Sequence, residues 1–83
     1  MVYILIWEDR HVDIEVTPFS SKESAVARAE KYITDYYAHY GEAVPATLNR
    51  DLTDSMERDG WVYYANLGDD CPRGRVIARE VLP

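Results

Sequence analysis

Eighty-three residues, 47% of them hydrophobic and 29% charged, make one expected domain, 1–83, with a modest core and little room for a deep pocket. A formal charge of −6 counts against direct contact with nucleic acid or an anionic membrane, since both need clustered Lys and Arg. It suits a basic protein partner, or solubility alone. The single cysteine, Cys71, excludes a framework of intramolecular disulfides.

The apolar start, Met1 to Trp7, is too short for a secretion signal or a membrane span and lacks a basic leader, so a cytoplasmic location is expected. Val2 to Glu8 reads as a strand that is apolar on both faces, hence central and covered on both sides. Glu8-Asp9-Arg10-His11 is a short polar turn. In Val12 to Thr17 the residues Val12, Ile14 and Val16 alternate with Asp13, Glu15 and Thr17, which predicts a strand with one buried face.

Ser20, three residues before Glu23, predicts a capping box. A helix of about twenty residues follows, stopped at Gly41 by a left-handed cap. Val26, Ala29, Ile33, Tyr36 or Tyr37, and Tyr40 form its packing face, with Tyr32, Tyr36 and Tyr40 in a row at the edge. Pro45 to Asp59 predicts a second helix with a Leu48, Leu52 and Met56 stripe, and Gly60 stops it. Trp61 to Leu67 reads as a strand with Trp61, Tyr63 and Ala65 on one face and Val62 and Tyr64 on the other. Gly68 to Gly74 is a loop rich in turn formers, and Arg75 to Leu82 is a last strand.

The plan is therefore α+β, β-β-α-α-β-β. It is a four-stranded, mostly antiparallel sheet with one long helix packed on it and a second, short one. The chain has little left to cover the other face of the sheet. Either the second helix or a loop folds over it, or its Trp and Tyr residues form a partner or dimer surface.

Chemistry finds little purchase. Cys71 with His11 or His39 is the only thiol–imidazole pairing, and its setting beside Asp69 and Asp70 works against a reactive thiolate. His11 and Asp13 are two apart, His39 has no co-ligand one turn on, and Cys71 with both histidines falls one short of a zinc set. Asp69-Asp70 lacks a calcium-loop pattern. Gly41, Gly60, Gly68 and Gly74 are caps and turns, not a phosphate loop. No metal and no cofactor is expected. Arg73, Arg75 and Arg79 form the one basic cluster; they read as sheet-edge charges that oppose aggregation, or as partners of nearby acids.

The charge is uneven. Between residues 42 and 70 stand Glu42, Asp51, Asp54, Glu57, Asp59, Asp69 and Asp70 against Arg50 and Arg58, a local −5. Asp51 and Asp54 lie one turn apart on the expected second helix, and Glu57 continues the series, a row of carboxylates about 5 Å apart of a kind that can imitate a phosphate backbone. The competing reading is a solvated helix face. In size, acidity, α+β plan and this acidic stretch, the chain resembles small phage or mobile-element proteins. Among these are the anti-CRISPR proteins, some of which act as DNA mimics. The resemblance is one of general character, and it implies a non-enzymatic inhibitor that occupies a basic groove.

The first expectation is thus a non-catalytic protein-binding module. Glu42, Asp51, Asp54, Glu57, Asp59, Asp69 and Asp70 supply its charge, and Tyr36, Tyr40 and Trp61 its anchors. Its partner is a basic protein, such as one that handles nucleic acid. A structural or regulatory protein that self-associates through the sheet is the second reading. An enzyme using Cys71 or a histidine is the third.

Overall fold

The computed structural model describes residues 1–9, 13–68 and 71–81. The element order is β1 (Val2–Glu8), β2 (Glu15–Phe19), α1 (Lys22–His39), α2 (Asp54–Arg58), β3 (Trp61–Asn66) and β4 (Arg73–Arg79). The strands form one antiparallel sheet in the order β2-β1-β4-β3. The expected α+β plan and its β-β-α-α-β-β order hold.

Helix α1 lies across one face of the sheet. Ala25, Ala29, Ile33 and Tyr37, one per turn, are its buried residues. The alanines let the backbone approach the sheet closely, where Leu5 and Val76 meet them in a core that Tyr3, Phe19 and Val62 flank. Further along, Trp7, Ile33, Tyr37 and Ala65 make a second cluster, with Val44 and Leu48 against it. The indole of Trp7 lies over Gly74, where a Cβ would stand 2.7 Å from the ring. The absence of a side chain at position 74 thus sets the depth at which Trp7 packs.

Several local expectations are corrected. The N-cap of α1 is Ser21, whose Oγ accepts from the Ser24 N–H at 3.2 Å, not Ser20 paired with Glu23. Tyr40 is the C-cap of α1 and is 61% exposed, so it is not part of the packing face. Gly41 does take a left-handed φ of 70° after the helix. Strand β2 runs two residues further than its alternation suggests and includes Pro18. A sheet edge accepts proline because no neighbour needs the missing N–H. Val16 is 60% exposed and Ile14 61%, so neither belongs to a buried face; Val12 lies outside the described residues.

The second helix shrinks most. Asn49 Oδ1 accepts the Asp51 N–H at 3.0 Å in a local side-chain turn, and Asn49 O accepts the Asn66 N–H at 2.9 Å. Both commit the backbone before a helix can start. Thr53 then caps α2. Its Oγ1 takes the Met56 N–H, and its own N–H points to Met56 Sδ at 3.4 Å. Leu48 and Leu52 thus stand outside any helix. In β3 a register shift between Trp61 and Tyr63 breaks the strict alternation. Trp61 pairs with Ile77 and Tyr64 with Arg75, so both stand on one face, while Tyr63 and Ala65 turn to the helix.

Candidate interaction surface

Antiparallel partners share a face. Leu5, Val76, Tyr63 and Ala65 therefore point to α1, while Ile4, Ile6, Ile77, Arg75, Trp61 and Tyr64 point away from it. Helix α1 contacts β1, β2 and β4, and α2 contacts β3. Both buried core clusters lie on the α1 side. Among the described residues no helix packs on the far side of β1, β2 and β4. Strand β1 is central, as expected, but a helix covers it on one side only.

Positive charge on this open face comes from β4. Arg73, Arg75 and Arg79 stand on an interior strand of the sheet, so the expectation of edge charges is corrected; Arg73 and Arg75 do partner an acid, Glu8, while Arg79 donates to the backbone carbonyls of Asp59 and Ala78. Glu8 lies directly across from Arg73 and diagonal to Arg75. It accepts from Arg73 Nε at 3.0 Å and from Arg75 Nη1 at 2.6 Å. The Arg75 hydrogen bond is the largest influence holding the Glu8 carboxyl below its ordinary range, against the opposing effect of burial. The Arg75 guanidinium also lies 5.1 Å from the Trp61 ring centroid, a cation–π distance, and Tyr64 tilts against Trp61 at 5.8 Å.

These groups line a cleft of about 270 Å³ bounded by Glu8, Met56, Trp61, Tyr64, Arg73, Gly74 and Arg75. Helix α2 thus brings only Met56 to its rim and leaves the rest of the face open. The turn from α2 into β3 is fixed by Gly60 at φ 89°. A Cβ there would run into the Arg79 guanidinium, which donates to Asp59 O at 2.9 Å. That contact sets where Trp61 enters the sheet.

The expected site residues fall into two separate groups. Tyr36, Tyr40 and Glu42 lie at the end of α1, in a shallow groove with Tyr37, Leu67 and Cys71. There the Tyr36 hydroxyl donates to Cys71 Sγ at 3.5 Å, the main reason its phenol is held well above the ordinary range. Asp54 and Glu57 are on α2, Asp59 caps it, and Trp61 stands on the open face. Asp51 lies before the helix, so the three-carboxylate helical row does not exist; only Asp54 and Glu57 share α2. Asp51, Asp54, Glu57 and Asp59 are exposed. Asp69, Asp70 and His11 lie outside the described residues. His39 is exposed, its ring edge-on to Tyr40 at 5.0 Å.

The residues that sequence reasoning missed are Glu8, Ile4, Ile6 and Ile77. Their signal was present in the odd-numbered arginines of β4 and the even-numbered apolar run of β1. It becomes legible only once these two strands are known to pair. Among the described residues no three metal-binding side chains gather, and no helix is long and apolar enough to cross a membrane. Compared with known protein families, curated proteins and solved structures, the chain matches none.

Proposed function

We propose that the protein is a non-catalytic binding module that meets a partner protein with the open face of its sheet. The observation that carries this is the composition of that face. Ile4, Ile6, Ile77 and Trp61 stand together on it, only half-buried, with Val16 beside them exposed. An apolar area of this kind, rimmed by polar groups, is characteristic of interaction surfaces. Trp61 is the natural anchor, since Arg75 and Tyr64 already hold its ring. Two arginines around one glutamate leave the cleft at +1 in a chain of −6. The complementary partner is therefore apolar at its centre and acidic at its rim.

A second reading keeps one observation in its favour. Asp51, Asp54, Glu57 and Asp59 are exposed and, among the described residues, have no ion-pair partner. These acids suit a decoy for a nucleic-acid-binding complex, a CRISPR effector being one example, although the loss of the helical row removes its regular spacing.

Photo-crosslinking separates the two readings. A benzophenone side chain is placed at Val16, at Ile77 or at the exposed Asp51 in cells that express the protein. Adducts from Val16 and Ile77 but not from Asp51 support the open face. Adducts from Asp51 alone transfer the function to the acidic side, and no adduct from Val16 or Ile77 ends the present reading.

A further inference from the structure

Resting on that reading, we propose that the partner on the open face is a second copy of this chain, with α2 of each copy laid against the arginine cleft of the other. The cleft holds Arg73 and Arg75 against Glu8. Each guanidinium gives one N–H to Glu8, leaving most of its donors without a protein acceptor among the described residues. Directly beside it, Asp54, Glu57 and Asp59 stand against Arg58 alone, a local −2. These carboxylates make no ion pair with the cleft of their own chain, because α2 turns Met56 toward it. A cationic cleft and an anionic helix side by side form a self-complementary pair. A two-fold axis over the sheet places each against the other's opposite.

Area points the same way. Four strands about 4.8 Å apart and about 3.3 Å per residue long, with seven residues in β1, give a face of roughly 19 by 23 Å. Two such faces bury on the order of 900 Å², below the roughly 1,200 Å² at which stable interfaces begin. The apolar sheet alone therefore makes only a weak dimer. Helix α2, at the rim and outside the counted strands, must supply the remainder through its contacts with the arginines of the other copy. Rim charge is screened by salt, so the dimer is weak, concentration-dependent and salt-sensitive.

Sedimentation of the full chain over a concentration series, at low and high salt, tests this. The expected result is a monomer–dimer equilibrium whose dissociation constant rises with salt. Asp54→Lys with Glu57→Lys places like charges against the cleft of the other copy and weakens the dimer by about tenfold or more. Arg73→Glu weakens it similarly. Combining Arg73→Glu with the two lysine substitutions restores it, a rescue that mere damage to the fold would not give. Circular dichroism confirms that each variant is folded. A monomer at every concentration overturns the second copy as the partner. It leaves the open-face reading to the crosslinks, which would then carry a different protein's mass. A dimer indifferent to the acid and arginine substitutions, or one not restored by their combination, overturns the α2–cleft pairing.

Discussion

On one side of the sheet Leu5, Ala65 and Val76 lie under α1 at 0–1% exposure, with Ala25, Ala29 and Ile33 fully enclosed above them. On the other, Ile4, Ile6 and Ile77 are only half-buried and Val16 is 60% exposed. The two faces use the same strands and much the same residue types. They differ in what stands opposite: a helix whose small residues admit close packing, against a cleft in which arginines and one glutamate hold an aromatic pair. The comparison separates apolar residues that stabilise the monomer from those that are free to meet something else.

The largest expected effect tests the packed side. Ile33→Ala empties a fully buried position and should cost about 3 kcal/mol in urea unfolding. The matching change on the open side, Ile77→Ala, should cost under about 1 kcal/mol in the monomer. Equal costs would mean that the open face is covered after all. Next, Gly74→Ala pushes a methyl to 2.7 Å from the Trp7 ring and should cost about 1–3 kcal/mol through overpacking. A near-neutral result would show that Trp7 is less tightly held than its place in the core implies.

The difference between the faces also explains what could be read from the sequence. Element order, the long helix and its Gly41 cap were legible because each rests on local pattern. The extent of α2 was not, because Asn49 spends its side chain and its carbonyl on contacts that compete with a helix, one of them to Asn66 far along the chain. The identity of the open face depended on a single register shift after Trp61. One residue of slip moves a side chain to the opposite face, and nothing in the Trp61-Val62-Tyr63-Tyr64 run marks it. The acidic stretch was visible as composition, but its expected geometry depended on the helix that did not form.

Smaller effects sharpen the polar half of the comparison. Glu8 has its pKa lowered from 4.5 by the arginines. A depressed carboxyl contributes stability that is present above its unfolded pKa and lost as pH falls through the folded one. Glu8→Gln should therefore cost stability at neutral pH, and the gap to wild type should close as pH drops below 4.5. A gap that is constant with pH would mean that the Arg73–Glu8–Arg75 cluster is held by packing rather than charge. Smallest of all, Arg50→Ala removes the bidentate Arg50–Glu30 pair at 3.0–3.1 Å on the helix side. Half-exposed as that pair is, the loss should be about 0.2–1 kcal/mol by thermal unfolding. A much larger loss would give that pair a role in seating the loop before α2 against α1.

The most direct measurement compares the two faces in one sample. Isoleucine methyl NMR is followed as the protein is diluted from about 1 mM to about 10 µM, the range in which a weak dimer dissociates. The methyls of Ile4, Ile6 and Ile77 should shift with concentration while that of buried Ile33 stays fixed. Open-face methyls that do not move over this range, or that move no more than the methyl of Ile33, would contradict self-association through the open face.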